Sequence, residues 1–257
     1  MPPRSYIEAL EFDLPSKLLE ELVRLFEEMS PGCLNAESLE LVDEEQGVYQ
    51  LFKDDQLVYI GKTDSESGLK KRLQRHSIKI QSRQNLDVSQ VTFKAIRVFV
   101  FTAMDLESLL IKHYKDQGQR PEWQHSGFGS NDPGRERDTT KVKEDNFDYK
   151  YPIDLGVNVT VECDGGEISV ADMLSQAKRQ LSYNIRYQVA SGRKPHGDLQ
   201  DAKVQLRDGT QSVRALLKLA KAALGDAWQI TALPGYVIIY KEQAPNKYPS
   251  GTIIEAD

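Results

Sequence analysis

Cysteine, long apolar runs and an excess of basic charge are what this sequence lacks. Its two cysteines, Cys33 and Cys163, stand far apart and outside any C-x-x-C or Cys/His spacing, which excludes a disulfide framework and a zinc site and leaves both as small packed side chains. The longest apolar stretches, Ala95 to Met104 and Gly235 to Tyr240, are interrupted by charge or too short to cross a bilayer. In the opening MPPRSYIEALEFDLP an arginine is followed by no apolar stretch, so neither a signal peptide nor a membrane anchor is read, and the protein is placed in the cytoplasm with no membrane partner. A net charge of −6 excludes coating of nucleic acid through a general basic surface, because such binding is carried by neutralised phosphates and released counterions. A local basic site remains open.

What is present is organised in three parts. Residues 1–46 read as a helical lead-in: Leu18, Leu19, Leu22, Val23 and Phe26 recur at helical spacing, with Asp13 or Ser16 as cap and Pro31-Gly32 as stop. Its acidic ESLELVDEE repels DNA. Residues 47–146 then give strands from Gly47 to Lys53 and from Leu57 to Gly61 around a polar tight turn, and a helix from Gly68 to Ser82. A third strand is read from Val91 to Phe101, and a second helix from Asp105 to Asp116, capped by Thr102 or Asp105 and burying Leu106, Leu109, Leu110 and Tyr114. A domain boundary is placed near residue 147. In residues 147–257, VECDGGEISV and VQLRDGTQSV each read as strand, Asp/Gly turn and Ser-Val helix start, and Val170, Met173, Leu174, Ala177, Leu181 echo Val213, Leu216, Leu217, Ala220, Leu224. This predicts a smaller α+β domain built on an internal β-α-β repeat, with a terminal hairpin in WQITALPGYVIIYKE. It holds no catalytic cluster, and His196 reads as a solvated loop residue. The pattern is weakly similar to the secretin and TonB short N-terminal module, from which only a binding role is carried over.

Chemistry concentrates in residues 46–79, QGVYQLFKDDQLVYIGKTDSESGLKKRLQRHSIK. Hydrolysis of a phosphodiester needs a divalent cation, a group to orient and deprotonate water, and cationic donors for the developing charge. Tyr49 and Tyr59 read as equivalent places on two adjacent strands, Lys62 ends the second, and Gly61 reads as a close approach for a phosphate. Arg72 and His76, four apart, share a helix face, and Glu107 is the available hard carboxylate for Mg²⁺. The run Lys70, Lys71, Arg72, Arg75, Lys79, Arg83 contains no acidic residue and reads as backbone phosphate contacts. Trp123 and His125 read as packing and loop residues.

The ordered set Gly47-Val48-Tyr49, Tyr59-Ile60-Gly61-Lys62, Leu69-x-x-Arg72-x-x-x-His76 and Glu107 resembles the GIY-YIG nuclease superfamily, over about residues 47 to 138. The resemblance implies an α+β class with a GIY-YIG core, a small antiparallel sheet flanked by helices. It implies Glu107 holding Mg²⁺ (Mn²⁺ as the alternative) and Tyr49 orienting or deprotonating water with a phenol pKa lowered by Lys62 and the metal. Arg72 would grip the phosphate, with Tyr59 and His76 completing the network. It also implies an asparagine, for which Asn131 is chosen and Asn146 competes.

WQHSGFGSNDPGRERD and the helical lead-in resemble the GIY-YIG type II restriction endonucleases, which makes Arg135, Arg137 and Lys141 candidate DNA contacts. That branch implies double-stranded DNA as substrate and a homodimer on a palindrome. The extra C-terminal domain departs from a minimal enzyme of this kind. A repair or structure-specific nuclease recruited by a protein partner through that domain is the alternative, and a catalytically silent binding protein is another.

Overall fold

The computed structural model describes residues 13–63, 66–99, 105–129, 134–190, 192, 194–206 and 209–256. Phe101, Thr102 and Asn131 lie outside the described residues. The chain is α+β and groups into two compact units: described residues up to Gln74 with Ser89–Glu122, and Arg75–Val88 with the residues from Trp123 onward.

In the first unit, α1 (Leu14–Glu28) starts at Asp13, whose carboxylate accepts from Ser16 N, with a proline in the first turn where its missing N–H costs nothing. β1 (Gly32–Cys33) follows, then α2 (Ala36–Glu40), capped by Asn35. β2 (Gly47–Lys53) and β3 (Gln56–Lys62) form a hairpin whose turn residues Asp54 and Asp55 both have positive φ, 48° and 62°, the backbone a tight primed turn requires. α3 (Leu69–Gln81), β4 (Val91–Arg97) and α4 (Leu106–Asp116) complete the succession, although α3 runs on into the range of the second unit. The sheet is antiparallel in the order β1-β4-β2-β3.

Alternation along β2 and β3 divides the sheet into two faces. Val48 and Ile60 point into a core with Leu22, Val23 and Phe26 of α1 and Leu106, Leu110 and Tyr114 of α4. Tyr49, Leu51 and Tyr59 point to the other face, where α3 lies: a Cβ on Gly47 would sit 2.7 Å from Leu69 Cδ1 and 2.2 Å from Ile96 O, so only glycine fits there. Of the lead-in, β1 begins at Gly32, the residue expected only to stop the helix. Two residues carry too little pattern to announce a strand, and its pairing with Thr92 and Phe93 of β4 defines it.

The second unit continues through α5 (Phe147–Lys150), β5 (Asn158–Val161), β6 (Glu167–Ser169), α6 (Val170–Gln180) and β7 (Asn184–Tyr187). α7 (Gly197–Asp201), β8 (Lys203–Gln205), β9 (Gly209–Ser212) and α8 (Val213–Leu224) follow, then β10 (Gln229–Ala232), β11 (Tyr236–Tyr240) and β12 (Thr252–Ile253). The internal repeat is visible in three dimensions. Ser169 and Ser212 cap α6 and α8 identically, and Val170, Met173, Leu174 and Ala177 share one core with Val213, Leu216, Leu217 and Ala220. The strands leading into the two helices pair crosswise, β5 with β9 and β6 with β8, while β7 lies parallel to β11 in the sheet β12-β10-β11-β7.

The division differs from the sequence boundary near residue 147 for a physical reason. Trp123, Phe128 and Phe147 are each 1 % exposed and pack ring on ring, with centroids 4.8 to 5.2 Å apart, so the aromatic cluster straddles that position.

Candidate active site

Tyr49 is at the middle of β2, in the central pair of strands, and is fully buried. Its cross-strand partner in the register is Gly61, whereas Tyr59 lies opposite Leu51. The two tyrosines are therefore diagonal neighbours on one face, ring centroids 6.2 Å apart and tilted 40°, rather than at equivalent places. The register also corrects the reading of Gly61. A Cβ there would come within 2.4 Å of Tyr49 Cζ and its phenol oxygen, so the glycine makes room for the ring of Tyr49.

Arg72, in the first half of α3, donates a hydrogen bond to the Tyr49 phenol, and Tyr49 is hydrogen-bonded to Tyr59. The Nε–H of Arg72 is buried and has no partner among the described residues. Glu107, half-buried in the first turn of α4, acts electrostatically on Tyr49, Tyr59 and Arg72 together. Four residues from two strands and two helices thus converge: Tyr49, Tyr59, Arg72 and Glu107.

Charge in this cluster is tuned by burial first. Burial, with Tyr59 next, pushes the Tyr49 phenol far above the usual phenol range, and the nearby Arg72 opposes this only in part. Burial likewise raises Tyr59, followed by the Glu107 charge. The expected lowering of Tyr49 by Lys62 does not occur, because Lys62 is turned to Asp105 at 2.9 Å. Asp105 is held at about 2 by its bonds from Ser108 and Lys62, and Lys62 is raised in return by Asp105. As Asp105 is also the N-cap of α4, this ion pair ties the end of β3 to the turn that carries Glu107.

Comparison with known families agrees with this geometry. Residues 47–155 match the sequence model of the Eco29kI GIY-YIG domain, a restriction endonuclease family. This part of the chain is a GIY-YIG nuclease domain. No curated protein matches the chain in sequence.

Of the other candidate residues of the GIY-YIG domain, His76 is 5 % exposed and stacks on Phe128 with centroids 4.7 Å apart. Asn146 caps α5 by accepting from Asp148 N at 2.9 Å. The basic run on α3 separates into two kinds. Lys71 and Arg75 are exposed, while Lys70 pairs with Glu40 at 2.9 Å. Lys79 donates to Phe128 O at 2.5 Å and lies over the rings of Phe128 and Phe147. Arg83 is buried against Asp148 at 2.9 Å and the carbonyls of Tyr151 and Pro234, which removes it from the set of phosphate contacts. Arg135 covers the ring of Tyr240 at 4.7 Å, and Arg137 and Lys141 are exposed.

Asp138 is a residue that sequence reasoning missed. It is 2 % exposed and takes Arg186 at 2.6 Å, Tyr236 at 2.7 Å and Tyr240 at 2.9 Å. Its partners are remote in sequence, so no local pattern marks it.

No described helix is long and apolar enough to cross a membrane. Among the described residues no group of three or more His, Cys, Asp or Glu is gathered for a metal. Glu107 offers one hard carboxylate beside two phenol oxygens, a donor set that fits a cation retaining most of its waters and does not fit zinc.

Proposed function

We propose that the GIY-YIG domain is a divalent-cation-dependent endonuclease that hydrolyses phosphodiesters of double-stranded DNA, as a restriction or phage-defence enzyme. The observation that carries the reading is the convergence of Tyr49, Tyr59, Arg72 and Glu107, with a buried Arg72 N–H that has no acceptor among the described residues. A decayed site would have lost at least one of these four.

Glu107 would hold Mg²⁺, or Mn²⁺ in its place. When bound, the cation supplies Lewis-acid stabilisation of a phosphate oxygen. Arg72 presents its planar fork to the scissile phosphate and neutralises charge that builds during attack. Tyr49, neutral in this environment, orients the attacking water by hydrogen bonding, and Tyr59 fixes the Tyr49 phenol. His76 is the candidate for proton transfer, and Asn131 a candidate to complete the network. Lys62 is a positioning residue that acts through Asp105 on Glu107. In-line attack leaves a 5′-phosphate and a 3′-hydroxyl.

Lys71 and Arg75, with Arg135 and Arg137, are the proposed backbone contacts outside the cluster. A palindromic site would be cut by a homodimer assembled on DNA. Incubation of purified protein with unmethylated plasmid and phage DNA and Mg²⁺, beside Glu107→Ala, with the ends sequenced, tests the reading. Discrete ends at one short palindrome, lost in the variant, are expected; ends placed by lesions or junctions would favour a repair enzyme, with the C-terminal domain as the protein-partner module.

A further inference from the structure

Arg97, which the reaction scheme does not use, is on the same sheet face as the catalytic tyrosines. It pairs in register with Gly47, two positions along β4 from Ala95, which pairs with Tyr49; residues two apart on a strand, and residues directly opposite, share a face. Its guanidinium covers the exposed ring of Phe99 at 4.3 Å and is held by Asp43 at 3.4 Å and Glu45 at 3.7 Å. Lys70, two residues before Arg72 on α3, is held by Glu40 at 2.9 Å. All three carboxylates belong to the acidic segment just ahead of β2.

That segment has a second attachment which does not involve its charges. The carbonyls of Glu45 and Asp43 accept from Leu69 N at 2.9 Å and Lys70 N at 3.2 Å, satisfying donors in the first turn of α3 that have no partner within the helix. Gly68, at φ +61°, permits this seating: a Cβ there would be 2.2 Å from Glu44 O. The backbone therefore fixes the loop, while the carboxylates stay more than half exposed, 69 %, 58 % and 57 % for Glu40, Asp43 and Glu45. A helix-capping loop does not need three acids aimed at two cations.

We propose that Lys70 and Arg97 form a DNA-phosphate contact surface flanking the active site, and that Glu40, Asp43 and Glu45 occupy it as phosphate surrogates until duplex DNA displaces them. This deepens the nuclease reading and rests on it. The exchange sets a threshold: a carboxylate replaced by a phosphate leaves the cation's charge balance unchanged, so neither contact adds to the salt dependence of binding. Weak encounters with nucleic acid are thereby discouraged in an enzyme whose active site must not engage DNA indiscriminately.

The test is binding of a short fluorescein-labelled duplex of mixed sequence, by anisotropy across a NaCl series in EDTA, so that no cutting occurs. The triple variant Glu40→Gln, Asp43→Asn, Glu45→Gln keeps every backbone cap. It is expected to bind roughly tenfold tighter at low salt, with a log–log salt slope steeper by about 1.8, since two freed cations each contribute about 0.9. Adding Arg97→Ala to that background is expected to remove about half of the gain, a slope change of about 0.9. Glu40→Gln alone, which frees only Lys70, gives a second and milder reading of the same effect. Affinity and slope equal to wild type in the triple variant, or an Arg97→Ala change that leaves them untouched, would overturn the proposal while the nuclease reading stands on the salt-dependent binding of the wild type. Absence of salt-dependent duplex binding by every form would overturn both.

Discussion

Gly61→Ala isolates the fit of one glycine against one ring. The new Cβ would lie 2.4 Å from Tyr49 Cζ and its oxygen, against an ordinary contact of 3.4 Å or more, so the ring must retreat by about 1 Å. The phenol is the group that Arg72 and Tyr59 hold, so the retreat loosens both bonds. A displacement of that size at a reacting group costs about 100-fold in rate, and overpacking of a buried face costs about 1–3 kcal/mol of stability. Single-turnover cleavage, thermal unfolding and duplex affinity in EDTA would be measured together, with Gly197→Ala as control, where the nearest atom is Asp201 Oδ2 at 4.0 Å. The expected outcome is a rate loss near 100-fold with affinity unchanged, and no change in the control. A weakened affinity at an unchanged rate would refute this reasoning and restore Gly61 as a place of close phosphate approach.

Arg72→Lys should lower the cleavage rate by two orders of magnitude or more, since a point charge replaces a fork, and single-turnover kinetics would show it. Asp138→Ala leaves the partly buried Arg186 without its carboxylate and two tyrosines without an acceptor; a loss of about 3 kcal/mol is expected in urea unfolding, with Asp138→Asn less harmful. Tyr49 has its folded pKa raised above the unfolded value near 10, so the folded state binds more protons and stability should fall as pH rises through about 10; an alkaline unfolding series should show less of this fall in Tyr49→Phe. Lys62→Ala should reduce cleavage while Lys62→Arg retains most of it, if the Asp105 pair positions the turn of Glu107.

The strands and helices of the GIY-YIG domain were legible because each announces itself locally. Val48 and Ile60 alternate with the tyrosines, α1 and α4 carry stripes at helical spacing, and Asp13 and Asp105 are caps ahead of Ser16 and Ser108. The four converging residues followed from their order. Register did not: nothing in GVYQLFK or QLVYIGK says that Tyr49 meets Gly61 and Tyr59 meets Leu51, because one turn residue more or less would change the pairing. The basic run misled for a related reason. A helix face of Lys and Arg looks solvated until an aromatic cluster from Trp123, Phe128 and Phe147 arrives to take Lys79 and Arg83, and those partners are far along the chain. In the C-terminal domain the repeat was readable in Val170 to Ala177 and Val213 to Ala220, but the crosswise pairing of β5 with β9 and β6 with β8 is a tertiary choice.

The most direct test of the central claim is cleavage of unmethylated double-stranded DNA by wild type and Glu107→Gln, with and without Mg²⁺, read as mapped ends. The account predicts fixed cuts bearing 5′-phosphates that need both the cation and Glu107, with duplex binding preserved in the variant. Equal cutting by both proteins, or cutting that persists in EDTA, would contradict it.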